Sequence, residues 1–151
     1  MRRILSLLLV LLLLTISVSM ISAQEDDEPV TVGFVSTLSG PASALGIDVR
    51  DGFLLAIDHL IEDGVIEEED VEVIIRDDQQ NPDVANQAVE ELLQREEVDF
   101  MTGIIFSNLL LAVADSVFDA ETFYLSPNAG PSQLAGEDCN AFFFNAAWQN
   151  D

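Results

Sequence analysis

Two short segments of the chain carry residue types suited to holding a small anion. In the first, the apolar run Val98, Phe100, Met101 ends at Gly103, and a loop leads to Ser107, directly before the helical pattern Leu109, Leu110, Val113, Ala114, Val117. In the second, Phe123, Tyr124 and Leu125 run into Ser126-Pro127-Asn128-Ala129-Gly130-Pro131. The first segment supplies a hydroxyl and a helix N-terminus, whose N–H groups and dipole favour negative charge. The second supplies small residues that expose backbone N–H groups. A carboxylate suits the pair. This is the chemistry of binding, not of reaction.

For these segments to cooperate, the strands before them must lie in one parallel sheet, where both loops leave from the carboxyl edge. The rest of the pattern predicts such a sheet. Val30–Val35 is β-branched and apolar on both faces, as a covered strand requires. A helical period follows from about Asp48 to Asp63, with Phe53, Ala56, Ile57, Leu60 and Ile61 on one face and Gly64 as its stop. Val71–Ile75 reads as a second strand, and Asp77 and Asp78 as turn formers that bond their own backbone. Asn81-Pro82 opens the next helix with a cap and a first-turn proline, and Val84, Ala85, Ala88, Val89, Leu92 and Leu93 form its buried stripe. After the two site segments, 141–145 reads as a fifth strand. The order is βαβαβαβ with a further strand, an α/β class: a parallel sheet with helices on both faces, joined by right-handed crossovers.

Composition narrows the function. Among 151 residues, 28 are acidic and 5 basic, a formal charge of −23. That field repels nucleic acid and anionic membrane, so neither is an expected partner. Gly40 and Gly46 are too far apart for a dinucleotide fingerprint, and a chain without lysine has no Walker lysine. No G-x-S-x-G elbow is present, and His59, the one histidine, falls inside a helical pattern. No enzyme, metal or cofactor is expected. Cys139 is the single cysteine; it reads either as a small buried hydrophobe or as a thiol lacking its partner.

Residues 1–23 have the layout of a secretory signal: Arg2 and Arg3, an apolar stretch from Ile4 to Leu14, and Ile21-Ser22-Ala23 as a cleavage site. The alternative is an uncleaved anchor, since Ile4 to Ile21 is long enough to span a bilayer. Residues 24–29 form an acidic linker, and 30–151 the folded part.

Five motifs in register give the chain a resemblance: Leu38-Ser39-Gly40-Pro41-Ala42 with Leu45-Gly46, Arg76-Asp77-Asp78, Asn81-Pro82, Gly103 with Ser107, and Ser126 to Ser132. It resembles the exported solute-binding proteins of ABC importers, in the branched-chain amino acid group of the type 1 periplasmic-binding fold. The tail from Ser126 through Cys139 to Trp148 is similar to a subgroup associated with aromatic acids. The resemblance implies a periplasmic protein, monomeric at full length, that closes two lobes on a small carboxylate and delivers it to a permease of the inner membrane. A ligand-sensing domain of a receptor or regulator is the alternative on the same fold. The resemblance further implies that Ser107 binds the ligand carboxylate with Phe106 beside it, that Asn128, Ala129 and Gly130 contribute backbone groups, and that Leu45 touches the ligand side chain. Amino acid binders of the family often carry threonine where Gly130 stands, so an acid without an amine is favoured. The resemblance implies an N-terminal fragment holding most of the first lobe. Structural roles are also open to these residues: a helix cap for Ser107, turn formation for Asn128 and Gly130, and core packing for Leu45; Trp148 reads as a packed aromatic at the hinge, with a ligand wall as the alternative.

Overall fold

The computed structural model describes residues 28–148; the signal segment expected over 1–23, and the first part of the acidic linker, lie outside the described residues. The elements are β1 (Val30–Ser36), α1 (Ser43–Glu62), β2 (Val71–Asp77), α2 (Pro82–Gln94), β3 (Phe100–Thr102), α3 (Ser107–Asp119), β4 (Phe123–Ser126) and β5 (Phe143–Asn145). Single 3-10 turns stand at Glu68–Asp70 and Ser132–Ala135. The five strands form one sheet in the order β2-β1-β3-β4-β5, and every neighbouring pair is parallel. The α/β fold with a parallel sheet is as the sequence predicts.

Strand alternation sends one set of side chains to α2 and α3 and the other to α1. Val35, Met101 and Tyr124 are buried with Ala85, Val89 and Leu92 of α2 and Leu109, Val113 and Val117 of α3. This is the dense side of the molecule. The α2 stripe forms as its spacing predicts, and the Asn81 side chain accepts the Asp83 N–H at 2.9 Å to cap the helix. On the other side Phe34 packs on Phe53 of α1, with ring centroids 5.5 Å apart. Only Phe53, Ile57 and Ile61 of the predicted α1 face are half-buried; Ala56 and Leu60 are exposed. The α1 side of β4 and β5 carries an open aromatic group, in which Phe123 meets Phe142 at 5.3 Å and Phe144 at 5.9 Å.

Several details depart from the sequence reading. Helix α1 begins at Ser43, not near Asp48, because Gly46 lets its first turn sit directly on the end of β1: a Cβ there would lie 2.1 Å from the Thr37 carbonyl oxygen. Cys139 is exposed, not a buried hydrophobe. Trp148 is 71% exposed, with little of its ring covered by the described residues. His59 lies exposed near the end of α1. Gly64, at φ +67°, ends α1 in the left-handed conformation that glycine adopts without strain.

Candidate functional site

The carboxyl edge of the sheet is where the sequence-predicted residues gather. Gly103, directly after β3, has φ +107° and approaches β1 so closely that a Cβ would stand 2.7 Å from the Val35 carbonyl oxygen. That approach requires glycine. It turns the chain across the sheet edge into Ile104, Ile105 and Phe106, and α3 then starts at Ser107.

Two side chains from β4 and its loop hold this crossing in shape. The Ile104 N–H donates to the Tyr124 hydroxyl at 3.0 Å, and both residues are buried. One residue on, the Asn128 amide donates from Nδ2 to the Ile105 carbonyl at 2.8 Å. Thr102 also donates from Oγ1 to the Leu125 carbonyl at 2.8 Å. The loop before α3 and the loop after β4 are therefore one hydrogen-bonded unit. Side chains at Tyr124 and Asn128 build it; sequence reasoning assigned Asn128 only backbone contacts and gave Tyr124 no role.

The second loop is closed on its other side. Ser126 donates from its hydroxyl to the Ala129 carbonyl, and the Ala146 N–H donates to the Ser126 carbonyl at 3.0 Å. Ala129 is 1% exposed. A Cβ at Gly130 would meet the Trp148 carbonyl oxygen at 2.1 Å and Asn145 Nδ2 at 2.9 Å. Thus Gly130 is glycine because the segment after β5 lies against it.

Among the predicted residues, Phe106, Ser107, Asn128, Ala129 and Gly130 stand together on this edge. Phe106 and Ser107 are half-buried, as is Asn128. Ser107 is the first helical residue and not the cap: Phe106 holds the capping position with φ −107° and ψ 128°, without a side-chain capping bond. Leu45 lies in the first turn of α1, the helix that follows the neighbouring β1, and is 56% exposed.

The electrostatics of this edge come from dipoles. No candidate residue carries a charge, and the start of a 13-residue helix brings the positive end of its dipole to this edge. Burial, with the nearby Asp78 carboxylate adding to it, pushes the Tyr124 phenol well above its ordinary value, so the ring that holds Ile104 stays neutral. A separate concavity of about 480 Å³ lies at the opposite, amino edge, lined by Glu28, Thr31, Glu96, Glu97 and Asp99 among others. Its four carboxylates repel an anion. Among the described residues, no group of three or more His, Cys, Asp or Glu side chains could hold a metal ion, and no helix is long and apolar enough to cross a membrane.

Known proteins share this architecture. The Leu/Ile/Val-binding protein BraC3 of Rhizobium johnstonii is 26% identical over 105 residues, which are 70% of this chain and 28% of that protein. An ABC transporter substrate-binding protein from Sphaerobacter thermophilus superposes with a TM-score of 0.71 at 31% identity, over 78% of this chain and 32% of its own. A solute-binding protein of an ABC transporter from Rhodopseudomonas palustris BisB5, solved with 3,4-dihydroxybenzoic acid, shares the fold. Its TM-score is 0.68 at 20% identity, over 81% of this chain and 32% of that one. The chain thus spans about a third of the length of the proteins it matches. The model of the periplasmic binding protein family matches residues 29–151, and the chain belongs to that family.

Proposed function

We propose that the chain supplies one lobe of an extracytoplasmic solute-binding subunit of an ABC importer, and that its carboxyl sheet edge takes the carboxylate of a small ligand. In this reading the Ser107 hydroxyl and the start of α3 face the carboxylate. Backbone groups of Asn128, Ala129 and Gly130 complete the polar end, Phe106 lines it, and Leu45 touches the ligand's apolar part. The subunit binds its ligand and hands it to a permease in the inner membrane; it performs no chemistry on it. The observation that carries the reading is the Asn128–Ile105 hydrogen bond, which ties the loop before α3 and the loop after β4 into a single rim. Preorganised donors lower the cost of ordering on binding.

The relatives' names cover two ligand classes, aliphatic amino acids for BraC3 and an aromatic acid for the Rhodopseudomonas palustris protein. A carboxylate is common to both. Position 130 favours the second class here, because the Trp148 carbonyl fills the space that a hydroxyl-bearing side chain would need to reach an ammonium group. The test is a titration of the protein with benzoate and with leucine, followed by amide NMR. Benzoate is expected to shift the amides of residues 106–108 and 128–130, with a Kd of about 1 mM or weaker, since one lobe cannot close around a ligand. Leucine should shift them less. Shifts confined to other parts of the chain, or none at those amides, would overturn the proposal.

A further inference from the structure

Asp77 and Asp78 close the turn after β2, and each bonds the backbone two residues on. Asp77 Oδ1 accepts the Gln79 N–H at 2.9 Å, and Asp78 Oδ1 accepts the Gln80 N–H at 2.8 Å. Gln79 and Gln80 both stand in the left-handed region, at φ 52° and 56°, which residues other than glycine seldom occupy. The Asn81 N–H donates to the Asp78 carbonyl at 2.9 Å, and Asn81 then caps α2. The turn is thus fixed from both ends.

Neither carboxyl serves its own turn alone. Asp77 Oδ1 also accepts the Leu38 N–H at 2.8 Å, and Asp78 Oδ1 also accepts the Thr37 hydroxyl at 2.6 Å. The Asp78 N–H donates to the Ser36 carbonyl at 3.0 Å, one step past the last β1–β2 pair. Three bonds from two consecutive residues therefore fasten the loop after β1. Thr37 is where this fastening meets α1. Its hydroxyl is held by Asp78, and its carbonyl oxygen lies so near Gly46 that a Cβ there would stand 2.1 Å away. The first turn of α1 rests on Thr37, and Leu45 is the residue just before that contact. With its side chain 56% exposed, Leu45 owes its place to the backbone beneath it more than to packing.

We propose that Asp77 and Asp78 are positioning residues of the ligand site: by tying Leu38 and Thr37 they seat the first turn of α1 and set where Leu45 stands. The inference rests on the reading of the carboxyl edge given above, in which Leu45 meets the ligand's apolar part. It extends the site to β2, the outermost strand of the sheet, whose loop acts on the ligand only through the loop after β1. Two side chains carry the tie, so it is severed only when both are changed.

The experiment compares the wild type with two doubly substituted chains. Thr37→Val with Asp77→Ala removes the hydroxyl and the carboxyl; Thr37→Ser with Asp77→Asn keeps a donor and an acceptor in the same places. Without ligand, NMR order parameters of the amides between Leu38 and Leu45 should lie near the rigid value of about 0.85 in the wild type and the conservative pair, and drop below about 0.6 in the severed pair. Those of 106–108 and 128–130 should not change. On titration with benzoate, the Leu45 methyl signals should move in the wild type and the conservative pair and lose that response in the severed pair, while the amides of 106–108 and 128–130 respond in all three. If the severed pair does not fold, Asp77→Ala alone is read in the same way. A loop that stays ordered, or a mobile loop with an undiminished Leu45 response, would overturn the assignment. Benzoate shifts absent from every form would overturn the reading of the rim and the positioning role with it, and the ligand-free order parameters tell that failure from a failed tie.

Discussion

Replacing Tyr124 by phenylalanine removes one atom and tests how the candidate rim is held. The hydroxyl accepts the N–H of Ile104, and both residues are almost wholly inaccessible, at 1% and 0%. Water therefore cannot take over the bond. A buried donor left without its acceptor costs about 1–3 kcal/mol, a sizeable share of the roughly 5–15 kcal/mol that a domain has in total. The ring itself is retained, and with it the stacking on Phe143 at 6.2 Å and 19°, so packing contributes little to the difference. With a urea slope of about 2 kcal/mol per molar, the midpoint of Tyr124→Phe should fall by roughly 1 M while the slope is unchanged. The Ile104 amide should exchange faster with deuterium, since its bond is the one lost. The pH dependence provides an internal check. The phenol is raised above 10.0 in the fold, so wild-type stability is complete below 10.0 and declines as pH climbs through the folded value, a decline the variant lacks. An unchanged midpoint with a still-protected Ile104 amide would refute the idea that β4 fixes the crossing.

Other substitutions probe neighbouring parts of the same edge. Asn128→Asp turns the donor facing the Ile105 carbonyl into an acceptor and should cost about 1–3 kcal/mol in urea unfolding; the loss should shrink at acid pH, where the new carboxyl can donate a proton to that carbonyl. Gly130→Ala must move the Trp148 carbonyl and should destabilise by about 1–3 kcal/mol. Gly52→Ala, in the middle of α1 with nothing within 4 Å of the added Cβ, should stabilise by about 0.5–1 kcal/mol in the same assay. Phe144, 51% exposed beside the 45% exposed Phe123, belongs to an open apolar patch of the kind that associates. Phe144→Gln should therefore lower both binding of a hydrophobic dye and concentration-dependent sedimentation.

What the sequence reveals here follows the range over which each feature is encoded. The α2 cap at Asn81 and the α3 stripe from Leu109 to Val117 depend on residues a few positions apart, and both form as the spacing predicts. The parallel sheet is legible too, because strands covered on both faces must be apolar on both. The start of α1 is not, since small residues such as Ala42 and Gly46 lack a periodic signal and the helix is set by contact with the end of β1. Cys139 misleads for a similar reason: residue type favours burial, but burial needs a covering element. The site divides along the same line. Turn chemistry at Ser126–Pro131 marks where a loop must be, while the shape of the preceding loop is imposed from 20 and 23 residues away, by Tyr124 and Asn128. A phenol one residue into a strand reads as core, and an asparagine after proline reads as turn. Neither local context reveals that its polar atom faces a particular carbonyl or N–H on the adjacent loop. Parallel pairing of β3 with β4 is what brings those atoms together. The rim is thus a property of the sheet's strand order, and a substitution that shifts that pairing would dismantle it with every candidate residue still in place.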